Sequence, residues 1–79
     1  MNSNNFEKKK SEILNLFKEK KYDVVIKLGT NLLKKKINDS QLIYLLGLTS
    51  INLEKFLDAE RYFKNLLIFQ KSAEIYFIY

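Results

Sequence analysis

The chain has 79 residues, with no cysteine, no histidine and no proline, and only two glycines. Without cysteine there are neither disulfides nor thiolate chemistry, and without histidine the commonest metal ligand and general base is missing. There is no glycine-rich phosphate loop and no acidic pair framed by a pocket signature. These gaps argue against an enzyme, a metal centre or a cofactor site. No apolar run approaches the roughly 20 residues that a membrane-spanning helix requires. Lys8 to Lys10 lead into Ser11, Glu12 and a mixed helix instead of an apolar signal core. The expectation is a cytoplasmic protein with no membrane span.

With 47% apolar residues the chain is not a disordered one. A domain this small buries only about 60% of the surface its unfolded chain exposes, so its stability is marginal. Strand signals are negligible, and apolar residues recur at helical spacing in five segments. Phe6, Ile13, Leu14, Leu16 and Phe17 mark a first helix that gives way near Glu19 to Lys21. Tyr22, Val25, Ile26, Leu32 and Leu33 carry a second to about Lys35, where Lys34 to Lys36 complement the helix dipole.

Asn38, Asp39 and Ser40 are good amino-caps for a third helix that opens on Gln41. That helix is apolar on nearly every side, which suits a central element packed on both flanks. Phe56, Ala59, Phe63, Leu66 and Leu67 then form the stripe of a fourth, predicted to be buried. Ser72 is placed to cap a fifth, running from Ala73 through Ile75, Tyr76, Phe77, Ile78 and Tyr79.

The segments repeat. Leu46, Gly47, Phe56, Ala59, Phe63 and Leu66 correspond, 34 positions earlier, to Glu12, Ile13, Tyr22, Val25, Gly29 and Leu32. Leu46-Gly47, Phe56 and Ala59 with Phe63 stand at the spacing of the L-G, aromatic and A-x3-F elements of the tetratricopeptide repeat, which residues 40–73 therefore resemble. Ile43 stands where that family has tryptophan, Ser50 where it has tyrosine and Lys71 where it has proline. Residues 6–39 form a weaker copy, and residues 74–79 the start of a third repeat or a capping helix. The resemblance implies an all-α fold of antiparallel helical hairpins, stacked as a short right-handed solenoid of about five helices in one domain. Gly29 has two readings: it offsets the larger Ile13 across the first hairpin, or it merely weakens an end helix by about 1 kcal/mol relative to alanine.

In proteins of this resemblance the first helix of each hairpin lines a concave face that holds a peptide or a partner helix. Helical spacing nominates Lys10, Leu14 and Phe17, next to Glu7, and then Gln41, Tyr44, Leu48 and Ile51. Such a stripe is read either as packed core or as exposed ligand surface. A subclass of the family clamps a peptide carboxylate with basic side chains. Here only Lys10 falls at a matching place, and Leu14, Leu45, Ile75 and Tyr79 occupy the others. That route is not expected.

The positive charge lies in the first half, where ten lysines face five acids over residues 1–40. Lysine, asparagine and isoleucine make up 29 of the 79 residues and there is one arginine, Arg61, so compositional bias explains the charge better than nucleic-acid binding. The apolar run Ile75, Tyr76, Phe77, Ile78 and Tyr79 calls for a neighbour. Three explanations compete: the chain is the amino-terminal part of a longer array, it self-associates through Ile75, Tyr76, Ile78 and Tyr79, or the tail folds back as a cap. The leading expectation is a non-enzymatic interaction scaffold for a protein or peptide partner. The alternative is a self-associating structural module, a homo-oligomer through its last helix.

Overall fold

The computed structural model describes the backbone of residues 2–78 and the side-chain surroundings of residues 5–68. Four helices account for its regular structure: α1 (Asn2–Lys18), α2 (Tyr22–Leu33), α3 (Ser40–Asn52) and α4 (Phe56–Ile78). No strand is present among the described residues. The number differs from the five expected. Between Phe56 and Ile78 the sequence offers neither glycine nor proline, so nothing removes a hydrogen bond or favours a left-handed residue at Lys71 and Ser72, and α4 runs straight through. For the same reason α1 starts at Asn2, upstream of Phe6.

Two of the connections are built alike. The Lys21 amide donates to the Leu16 carbonyl at 3.0 Å, and the Lys55 amide to the Ser50 carbonyl at 2.8 Å. The Lys20 and Glu54 amides donate to Phe17 and Ile51, both at 2.9 Å. Lys20 and Glu54 themselves sit at φ 63° and 59°, in the left-handed region. This is the paired hydrogen-bond pattern that satisfies the last carbonyls of a helix and reverses the chain. Every partner in the second turn lies 34 residues after its counterpart in the first.

The connection from α2 to α3 is different. There Asp39 accepts the Leu42 amide at 2.9 Å and so caps α3, which starts at Ser40.

Connections of three residues hold α1 against α2 and α3 against α4 as antiparallel neighbours. Phe17 and Tyr22 meet edge-on across the first turn, while at the other end of the hairpin the Lys36 ammonium lies 5.5 Å from the centre of the Phe6 ring. The predicted centrality of α3 is what the structure shows: it packs against α1, α2 and α4, and buries Leu42, Ile43, Leu45 and Leu46. Val25 and Leu32 from α2, Phe6 and Ile13 from α1 and Ala59 from α4 complete the buried apolar set among the described residues. The buried hydroxyls of Thr49 and Ser50 donate to the carbonyls of Leu45 and Leu46, so burying them leaves no donor unpaired.

Both glycines mark close approaches. A Cβ on Gly47 would stand 2.7 Å from the Phe63 ring, and one on Gly29 would stand 2.7 Å from a methyl of Leu46. The supposed exchange of volume between Gly29 and Ile13 does not describe this packing, because the atoms nearest to Gly29 all belong to Leu46 of the following hairpin. Nor is Gly29 an idle weakening of an end helix. It lets α3 settle on α2.

The stripe predicted on α4 is only partly buried. Ala59 is enclosed and Phe63 and Leu66 are half-buried, but Phe56 and Leu67 are exposed. Among the described residues α4 packs against α3 alone, so apolar side chains that turn away from α3 find nothing to cover them.

Candidate functional site

Because α1 and α3 are first helices of successive hairpins, they run in the same direction and leave a furrow between them. Glu7, Lys10, Leu14 and Phe17 face it from α1, and Gln41, Tyr44, Leu45 and Leu48 from α3. The groove encloses about 420 Å³. Six of the seven residues nominated from helical spacing line it: Lys10, Leu14, Phe17, Gln41, Tyr44 and Leu48. Ile51 is exposed but does not line the groove. Leu14 and Tyr44 stand open to solvent, whereas Phe17 and Leu48 are half-buried in the walls and Leu45 is buried beneath them.

The two aromatic walls are braced from behind. Phe17 packs edge-on against Tyr22 at a centroid distance of 5.6 Å, and Tyr44 against Phe63 at 6.1 Å. Each ring is thereby held by the second helix of its own hairpin, in edge-to-face contacts with ring planes inclined at 64° and 61°, an arrangement that aromatic quadrupoles favour. Phe63 in turn lies over Gly47, so the missing side chain on α3 helps to set where Tyr44 stands.

One end of the groove is polar. The Lys10 ammonium donates to Gln41 Oε1 at 2.8 Å and to Asp39 Oδ2 at 3.1 Å, with Glu7 at 3.4 Å and the centre of the Phe6 ring at 5.6 Å. Its side chain is 14% exposed and that of Asp39 is 8% exposed. Lys10 was nominated as a contact for a ligand. In the structure its charge is already matched by two carboxylates, and its donors tie α1 to the beginning of α3. Spacing along the chain had no means of showing Asp39 as its partner, 29 residues away.

Two other hollows flank the first hairpin. The larger, about 600 Å³, lies at its open end around Phe6, Leu32 and the stems of Lys9, Lys35 and Lys36. The smaller, about 210 Å³, lies between α1 and α2 over Ile13, Leu16 and Leu28. Exposed lysine side chains form much of the first wall, so its volume is bounded largely by solvated chains. The α1–α3 groove has the walls that packing holds in place.

Tyr62, on the side of α4 that faces α3, is pushed above its ordinary pKa of about 10, chiefly by burial and secondarily by the Asp58 carboxylate, with Arg61 opposing. Among the described residues no group of three or more acids is placed to hold a metal ion, and no helix is long and apolar enough to cross a membrane. The side chains of Ile75, Tyr76, Ile78 and Tyr79, nominated for self-association, lie outside the described residues.

Helices and groove together define an all-α protein of two packed hairpins with an apolar furrow between their first helices. Comparison of the chain with protein-family models, with curated proteins and with solved structures finds no match.

Proposed function

We propose that this protein is a non-enzymatic interaction scaffold of the tetratricopeptide-like kind, and that the α1–α3 groove takes an apolar peptide or the apolar face of a partner helix. The observation that carries the reading is the wall of Leu14, Phe17, Tyr44 and Leu48, contributed by two parallel helices and held from behind by Tyr22 and Phe63. Rigid aromatic anchors flanking an aliphatic floor are the usual source of affinity in such grooves, because they bury large area at little cost in side-chain freedom. The matched charge of Lys10 favours an uncharged ligand segment over a free carboxylate. The hydrogen bonds of the two hairpin turns, repeated at an offset of 34 residues, support the kinship in architecture.

The test is selection of ligands from a displayed peptide library, followed by titration of the best peptide into isotope-labelled protein. The expected ligands carry apolar residues at regular spacing and shift the amide signals of Leu14, Phe17, Tyr44 and Leu48. Tyr44→Ala weakens their binding by about tenfold or more, as loss of an aromatic anchor does. Tyr44 is half exposed, so the variant keeps its fold, which circular dichroism checks. Failure to select any peptide, or binding that ignores Tyr44→Ala, would dismiss the groove.

A further inference from the structure

The outer face of α4 carries apolar residues in an arrangement that matches itself. Phe56, Leu57, Leu67 and Ile68 are all exposed there, Leu57 at 80%. Eleven residues make three helical turns, so Leu67 returns to the side of Phe56 and Ile68 to the side of Leu57. Between these two short seams lie Glu60 and Lys64, whose charged atoms are 3.9 Å apart. Over residues 56–68 the face is therefore apolar at both ends and oppositely charged in the middle.

We infer that α4 is a homodimerisation surface: a second copy of this chain packs antiparallel along it about a two-fold axis level with residue 62. That axis brings Phe56 beside Leu67 of the second copy and Leu57 beside Ile68 of the second copy. Both contacts occur twice. At the centre, Glu60 of each chain meets Lys64 of the other, so the charges that interrupt the apolar seams become complementary across the axis. A shallow crossing of about 20° keeps both ends in contact over the roughly 18 Å that separate Phe56 from Ile68.

A two-fold arrangement is favoured over head-to-tail stacking by the opposite end of the molecule. If a second copy were to sit on α4 as α3 sits on α2, its α1 would have to offer an apolar face. In place of Leu42, Ile43 and Leu46 of α3, α1 carries Lys8, Lys9 and Glu12, all exposed. Exposed ammonium groups would cover the aliphatic side chains of Leu57, Leu67 and Ile68 only by giving up hydration. Among the described residues, the α4 face of another copy presents apolar groups opposite the apolar ends and opposite charges at the centre. This surface is separate from the α1–α3 groove, and its occupation leaves Tyr44 and Leu48 free.

Light scattering on a sizing column decides the matter when run over a dilution series from millimolar to low micromolar protein. The expected mass moves between 9.4 kDa and twice that value as the concentration rises. Glu60→Lys sets two ammonium groups against each other across the axis, and Lys64→Glu sets two carboxylates together. Each single change is expected to weaken the dimer by about tenfold or more, and the double change Glu60→Lys with Lys64→Glu to restore it to within about threefold. All of these positions are exposed, and circular dichroism confirms that the helices persist. Leu57→Gln with Ile68→Gln is expected to leave a folded monomer. The inference is overturned by a native chain that stays monomeric throughout, by masses that grow beyond the dimer, by single charge reversals that leave the dimer intact, or by a double reversal that does not rescue it.

Discussion

Lys10 and Asp39 join α1 to the start of α3 across 29 residues of sequence, at 3.1 Å, while the other carboxylate oxygen of Asp39 caps α3 through the Leu42 amide at 2.9 Å. One side chain thus closes a helix and receives a cation. Lys10→Met keeps the apolar stem and removes the charge, leaving a largely buried carboxylate with its cap alone. The expected cost is about 2 kcal/mol in urea unfolding, below the figure for a fully buried pair because water still reaches Lys10. Asp39→Asn preserves a capping side chain, so Lys10→Met with Asp39→Asn should be less destabilised than the sum of the two single changes, by about 1 kcal/mol.

The meeting of Gly29 with Leu46 makes a second prediction. Alanine is the better helix former by about 1 kcal/mol, yet its Cβ would stand 2.7 Å from a methyl of a side chain that is fully enclosed. Because Leu46 is fully enclosed, steric cost wins, and Gly29→Ala is expected to lower stability by about 1 to 2 kcal/mol. Gly29→Ala in a Leu46→Val background should be milder. At Gly47 the opposing Phe63 is only half-buried and can swing aside, so Gly47→Ala is expected to change stability little while displacing the ring from Tyr44. Near-ultraviolet dichroism and the aromatic proton spectrum read that displacement.

Lys20 and Glu54 occupy left-handed backbone, which costs a residue with a Cβ about 1 kcal/mol. Lys20→Gly and Glu54→Gly should each raise the urea midpoint by the equivalent of about 0.5 kcal/mol, since glycine relieves the strain but loses more entropy on folding. Because the two turns share no partners, the gains should add.

Tyr62 governs part of the alkaline limit. Its folded-state pKa lies above the ordinary value of about 10, so its contribution to stability is complete below about pH 10 and is lost as pH rises through the raised pKa. Denaturation midpoints measured above about pH 10 should fall less steeply in Tyr62→Phe than in the native chain, with the two curves parallel near neutrality.

How far the fold can be read along the chain depends on the range of the interaction concerned. The starts of α2, at Tyr22, and of α4, at Phe56, were close to legible, because a helix stop and restart is written in adjacent residues and hydrogen bonds of a few positions' reach. The expected break before Ala73 came from reading Ser72 as the amino-cap of a fifth helix. Locally the chain there contains no residue that ends a helix, and local propensity prevailed. Six groove residues could be named from spacing because α1 and α3 are in register. That Lys10 would be consumed by Asp39 could not, since the partner lies 29 residues away in the connection from α2 to α3.

What the sequence determined by itself is therefore the helical class, the 34-residue period and the face of each helix that is apolar, since all three follow from patterns within a few turns of chain. Only the tertiary structure decided which apolar faces are covered. Leu42 and Leu46 of α3 are enclosed because α2 and α4 flank that helix, whereas Phe56 and Leu67 of α4 remain in solvent because among the described residues only α3 meets it. Periodicity identifies a surface that lowers its free energy by burial, and burial itself requires a second surface brought from elsewhere in the chain or from another molecule.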